Sequence, residues 1–188
     1  IISIIIIISA IDMLKRTISQ LLGERNDSKL AGEVKKTVEN FPDVEGAYDL
    51  VLNNYGPDSW SGSIHIEVPD TYTADKIDQM IRDIQLEVYY KHQIVLTAIG
   101  VYSINTTNPK VINMHKKLKE IVFSHRYVTQ LHGFYVDEDS KSIRFDVVIS
   151  LDANDRLEVF EEVMKDVKAN FPEYEIQAIP DVDFADVY

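Results

Sequence analysis

The first eleven residues, Ile1 to Ile11, carry no charge, and seven of the eight before Ser9 are isoleucine; the first charge is Asp12. A helix that spans a bilayer needs about 20 apolar residues, so this run supplies about half of one. The pattern predicts a helix over residues 1–22 whose first half lies in lipid, the exit end of a membrane helix in a sequence that does not begin with Met. A buried strand or core helix is the plainer alternative for so short a run. A secretory signal would place its basic residues before the apolar run, whereas Lys15 and Arg16 follow it. With Arg25 they put the remainder of the chain in the cytoplasm by the positive-inside rule.

Beyond Gly23 the chain turns polar, and Asp27 or Ser28 offers a cap to a helix that buries Leu30, Val34, Val38 and Phe41 before Pro42 ends it. Val44 to Leu52 reads as a strand, residues 53–58 as a turn, and Trp60 to Val68 as a strand with Ile64, Ile66 and Val68 on one face. Thr73 caps a helix carrying Ile77, Ile81, Ile84 and Val88, and Ile94 to Tyr102 is the next strand. The order α-β-β-α-β then recurs. Asn108 and Pro109 open a helix with Val111, Met114, Leu118 and Ile121. Strands follow at Tyr127 to Val136 and Ser142 to Leu151, then a helix capped by Asn154 or Asp152 with Leu157, Phe160, Met164 and Val167, and a strand at Glu175 to Ile179.

Self-similarity at a period of about 80 residues indicates a duplicated unit, and a split β-α-β order is ferredoxin-like. The expected fold is α+β: two tandem ferredoxin-like units over 28–103 and 107–188, each with helices on one face of its sheet, behind an N-terminal segment over 1–23. The strand at Ile94 to Tyr102 either ends the first unit or opens the second.

Composition narrows the chemistry. The 188 residues are 45% hydrophobic and 27% charged, enough to build a core, and they include no cysteine. Disulfides, thiolate zinc sites and cysteine nucleophiles are excluded. Thirty-one acidic against 19 basic residues give a net charge of −12, which speaks against a nucleic-acid partner; an acidic surface attracts cations, and acidity for solubility alone is the plainer reading. There is no Ser-His-Asp order, phosphate loop or Walker-type motif, so neither an enzyme nor an organic cofactor is expected.

Two segments carry a resemblance. Phe41-Pro42-Asp43-Val44-Glu45-Gly46-Ala47-Tyr48-Asp49-Leu50 and Ser63-Ile64-His65-Ile66-Glu67-Val68 resemble consecutive stretches of the cytoplasmic domain of cation diffusion facilitators. Ile11-Asp12-Met13-Leu14 through Leu21-Leu22-Gly23 is similar to the point where that family's last membrane helix leaves the bilayer. The resemblance covers residues 1–102 and, more faintly, the second unit. It implies a proton-coupled exporter of divalent cations in the cell membrane, homodimeric through cytoplasmic domains that in some members bind regulatory metal. Its transport ligands lie on membrane helices that are not in this sequence. The competing expectation is a ferredoxin-like ligand-sensing module with no transport role.

Of the four cytoplasmic metal-ligand positions that the resemblance implies in the first unit, only His65 matches; Tyr48, Thr97 and Ile99 stand at the others. A lone imidazole cannot close a zinc site, and a satisfied structural histidine is the plainer reading of it. In the second unit His132 takes the Tyr48 position and Asp146 the His65 position. A turn near Asp139 sets His132 directly opposite Asp146 across the hairpin, with Cβ atoms about 5 Å apart. Asp181 and Asp183 fall near the two remaining positions. His132, Asp146, Asp181 and Asp183, with His65, are therefore the candidate metal ligands, and a donor set of imidazole and carboxylates suits zinc, manganese or iron. An ion pair between His132 and Asp146, with a solvated acidic tail, is the alternative.

Overall fold

The computed structural model describes residues 2–21, 28–56 and 59–181. The polar linker at residues 24–27, the turn residues Pro57 and Asp58, and Asp183 lie outside the described residues. Helix α1 (Ile2–Leu21) leads, followed by α2 (Ser28–Glu39), β1 (Gly46–Asn54), β2 (Trp60–Pro69), α3 (Ala74–His92) and β3 (Ile94–Ile104). The order repeats as α4 (Pro109–Val122), β4 (Val128–Asp137), β5 (Ser142–Ile149), α5 (Arg156–Asn170) and β6 (Glu175–Asp181).

The sheets are β1-β2-β3 and β4-β5-β6, each with an antiparallel first pair and a parallel second pair. Strand β3 pairs with β2, so it closes the first sheet. This is the α+β architecture of two tandem ferredoxin-like units. The parallel pairs follow from α3 and α5, which carry the chain back across the sheet as crossover connections.

Each unit has its own core, built by the alternation of its strands. Ile64, Ile66 and Val68 of β2 meet Val34 and Val38 of α2 and Ile84 and Val88 of α3. In the second unit Ile143, Phe145 and Val147 meet Leu118, Val122, Val163 and Val167. Met80 takes a core place in α3 that the sequence pattern assigned to Ile77 and Ile81, which are half-buried. In α5 the pattern's Leu157 is 62% exposed, and Val163 and Val167, spaced by four, are the buried pair of the helix. Its cap is Asp155, which accepts from the Leu157 and Glu158 amides, rather than Asn154 or Asp152. Thr73 and Asn108 cap α3 and α4 as the sequence indicates.

The connection between the units is stitched to the first. Asp70, just past β2, accepts hydrogen bonds from Asn105 Nδ2 (2.7 Å), the Thr106 amide (3.1 Å) and the Thr106 hydroxyl (3.1 Å). Asn105 Oδ1 in turn accepts from the amide of Asn108, the α4 cap.

Among the described residues no helix is long and apolar enough to cross a membrane. In α1, Ile2, Ile4, Ile5, Ile6, Ile7, Ile8 and Ile11 are all exposed. An apolar stretch of this size left uncovered marks a surface made for lipid or protein rather than for water.

Candidate metal centre

The helices cover one face of each sheet and leave the other to residues such as Tyr48, His65 and Tyr102 in the first unit and His132, Asp146 and Asp181 in the second. These two faces meet where β3 lies against β4. Both hairpins are in the register that their turns predict, with Tyr48 opposite His65 and His132 opposite Asp146.

Each first strand is bulged at the same place, directly after that pair. The bulge residue is Asp49 (φ 55°) in β1 and Gly133 (φ 65°) in β4. Asp is among the few side chains that tolerate left-handed backbone, and glycine adopts it freely. Gly133 is also needed for space: a Cβ there would sit 3.0 Å from Asp146 Oδ2 and 3.1 Å from Tyr102 Cε1. The bulge in β1 brings Asp49 to the junction of the units.

His132 is the centre of the cluster and is only 1% exposed. Its Nε2 lies 3.2 Å from Asp49 Oδ1 and 3.5 Å from Asp181 Oδ2. The Tyr48 ring stacks on the imidazole at 4.9 Å and the Tyr102 ring tilts against it at 5.5 Å. Asp49 Oδ2 accepts a hydrogen bond from the Tyr102 hydroxyl at 3.0 Å and lies 2.9 Å from His65 Nδ1. The same hydroxyl is 3.4 Å from Asp146 Oδ2. Arg156 Nη2 holds the end of β6 by donating to the Asp181 carbonyl at 2.9 Å.

The structure thus brings His132 and Asp181 together with Asp49, which the sequence reading did not single out. Asp146 stands behind His132 and reaches the first unit through Tyr102. His65 approaches the far oxygen of Asp49. The signal for Asp49 was its place beside Tyr48 in the resembling segment; neither the bulge nor the meeting of the units is written in a local pattern.

The carboxylates make the cluster a place for positive charge, which a proton on His132 can itself supply. Burial opposes ionisation of Asp49, but contacts from His132, His65 and Tyr102 outweigh it and hold its pKa well below the usual carboxylate range. Burial raises the pKa of Asp146. Burial also opposes a charge on His132, yet Asp49, Asp146 and Asp181 prevail and move its pKa upward. Burial pushes the Tyr48 phenol up to about 12, so it stays neutral.

The residues fit a metal ion on two counts. Both ring nitrogens of His132 and Asp49 Oδ1 are buried without an aligned hydrogen bond, although Asp49 and His132 are in ion-pair range. The distances satisfy charge attraction, but the ring N–H does not point along them, which leaves donor atoms with unspent capacity. Second, the ligand atoms of Asp49, His132 and Asp181 lie within 4.8 Å of one another. Donors about 2.0–2.1 Å from one tetrahedral ion stand roughly 3.3 Å apart, close to the two His132 distances.

The other histidines have local roles. His92 Nε2 is 2.8 Å from the Thr37 hydroxyl, and His125 Nε2 is 3.1 Å from Asp166 Oδ2. His115 stacks on Phe134 at 4.6 Å, and burial with Lys119 nearby lowers its pKa to about 4.

No family model matches the chain, and no curated protein does. Among solved structures, a substituted variant of the MamM CTD matches at 16% identity and a TM-score of 0.36, over 44% of this chain and 85% of that one. The copper form of the MamM CTD matches at 14% identity and a TM-score of 0.33, over 45% of this chain and 95% of that one. Likeness at this level assigns neither a family nor a ligand to the chain.

Proposed function

We propose that this chain is the metal-responsive cytoplasmic region of a divalent-cation exporter, with one cation held between its two units by Asp49, His132 and Asp181. The observation that carries the reading is His132: a fully buried imidazole, without an aligned hydrogen bond on either nitrogen, set between carboxylates of both units. Evolution rarely leaves such a group unsatisfied without a use for it.

Asp49 and Asp181 supply charge, and His132 supplies a neutral nitrogen donor. Three protein ligands leave a further coordination position open, as in sites that exchange their ion, with Asp146 close by. The donor set suits zinc, manganese or iron. Because one ligand comes from the first unit and two from the second, occupancy and the packing of the units are linked quantities. The chain is read as a non-enzyme.

The efflux role, the cell-membrane location with residues after about 24 in the cytoplasm, and anchoring through α1 rest on the resemblance of residues 41–50 and 63–68 and on the apolar first half of α1. A homodimer belongs to the same reading. It would have to use surfaces other than the junction, since His132 and Tyr48 of one chain already cover each other there.

The test is calorimetric titration of the full chain in detergent with zinc and with manganese. The parent binds one equivalent, and His132→Ala lowers affinity by about a hundredfold, ~2.7 kcal/mol. Binding falls on acidification, since protons compete for imidazole and carboxylates. A His132→Ala protein that titrates like the parent overturns the reading.

A further inference from the structure

The two oxygens of Asp49 keep different company. Oδ2 accepts the Tyr102 hydroxyl at 3.0 Å and has His65 Nδ1 at 2.9 Å, in ion-pair range without an aligned hydrogen bond. Oδ1 has no hydrogen bond and faces His132 Nε2 at 3.2 Å. The division is built into the first sheet. His65 on β2 is in register with Gly100 on β3, two residues before Tyr102, and the imidazole and phenol rings stack at 4.8 Å. A Cβ at Gly100 would overlap the imidazole, so glycine is what allows the ring to lie across β3 with its Nδ1 edge toward Asp49.

We propose that Tyr102, with His65 beside it, is a positioning pair that presents Asp49 to the ion through one oxygen only and so makes the site select zinc over calcium. The inference rests on the metal reading above and adds what decides the ion. Calcium takes 6–8 oxygen donors at about 2.3–2.6 Å and commonly uses both oxygens of a carboxylate. Tyr102 and His65 both lie against Oδ2, so an ion that took both oxygens of Asp49 would compete with those contacts, whereas Oδ1 is clear of them. Zinc asks for single donors at shorter range, and one freed oxygen beside an imidazole meets that demand. Tyr102 is also within reach of Asp146 Oδ2, so the same hydroxyl restrains the nearest spare carboxylate of the second unit.

Outer hydrogen-bond partners of metal ligands typically carry 10–100-fold in affinity. The experiment is titration of the full chain in detergent with zinc chloride and with calcium chloride, for the parent, Tyr102→Phe, His65→Asn and His65→Ala. Thermal unfolding without metal runs alongside. Tyr102→Phe keeps the ring stack and removes only the hydroxyl. It is expected to weaken zinc about tenfold while calcium binding holds or tightens; the metal-free protein, without the bond to Asp49, unfolds at a somewhat lower midpoint but in one transition like the parent's. His65→Asn, whose amide nitrogen stands in for Nδ1, is expected to stay nearer the parent than His65→Ala.

A zinc-to-calcium ratio in Tyr102→Phe equal to the parent's overturns the inference and leaves the metal reading intact, provided His132→Ala still lowers zinc affinity about a hundredfold. A parent that binds neither ion overturns both. Should Tyr102→Phe fail to fold, the same ratio in His65→Ala against His65→Asn decides.

Discussion

The two units put the same four places of one scaffold at their junction and fill them with different residues. By register, Tyr48 corresponds to His132 and His65 to Asp146, since each forms the last pair before the bulge. Asp49 corresponds to Gly133, both with left-handed backbone. Tyr102 corresponds to Asp181, each two residues beyond the parallel partner of the previous position. The first unit thus presents Tyr, Asp, His and Tyr, and the second presents His, Gly, Asp and Asp. Were the two halves alike, the junction would hold two equal sets of groups. Instead the first unit gives one carboxylate with Tyr102 and His65 against it, and the second gives the imidazole and the remaining carboxylates. Four differences on matching strands make the junction asymmetric.

The comparison makes its largest prediction in the cores, where the units should behave alike. Phe145 and Ile64 are the fully buried neighbours of Asp146 and His65 on equivalent strands. Phe145→Ala should cost about 3–5 kcal/mol and Ile64→Ala about 2–5 kcal/mol. Amide exchange should show each loss concentrated in the mutated unit, because the cores are separate clusters. Equal loss of protection in both units would show that they fold as one body and weaken the comparison.

A smaller effect probes the bulges. Gly133→Ala places a side chain on left-handed backbone and against Asp146 and Tyr102. It should cost about 1–2 kcal/mol for the backbone alone, and zinc affinity should fall with it. Unfolding midpoints and titration together read this out. A stability loss with unchanged affinity would separate the second bulge from the site.

The smallest effect distinguishes the units by pH. His115 of the second unit has its folded pKa lowered to about 4 from an ordinary 6.5. The unfolded chain therefore binds the extra proton between those values, and stability falls as pH drops from about 6.5 toward 4. For a half-buried ring the loss is discounted to about 1 kcal/mol. His115→Gln should flatten the unfolding midpoint over that window relative to the parent. An unchanged slope would mean that burial beside Lys119 does not hold the ring neutral.

Much of the frame was legible in the sequence, and for local reasons. Alternation in β2 and β5, the Asn108-Pro109 start of α4 and the turn positions are contained within a few residues, and they fixed both hairpin registers. The α5 cap was harder, because Asp152, Asn154 and Asp155 all suit the role and only packing chooses among them. Met80, Ile84 and Val88, spaced by four, make the buried stripe of α3, and Ile77 and Ile81 fall beside it. Asp49 was the least legible. Its contribution depends on a bulge, which no periodicity announces, and on the meeting of residues 49, 132 and 181, which are remote in sequence and belong to separate sheets.

The stitching of residues 105–108 onto Asp70 bears on how the chain behaves on dilution. Two separate copies of a half-site must find each other by collision, and their partnership dissolves as the protein is thinned out. A short tether holds its two ends at an effective concentration in the millimolar range, whatever the bulk concentration is. Hydrogen bonds that already restrict that tether reduce the conformational freedom lost when the halves meet. An ion held between Asp49, His132 and Asp181 would therefore bind with an affinity indifferent to how many copies of the protein are present, so that occupancy would report the metal level alone.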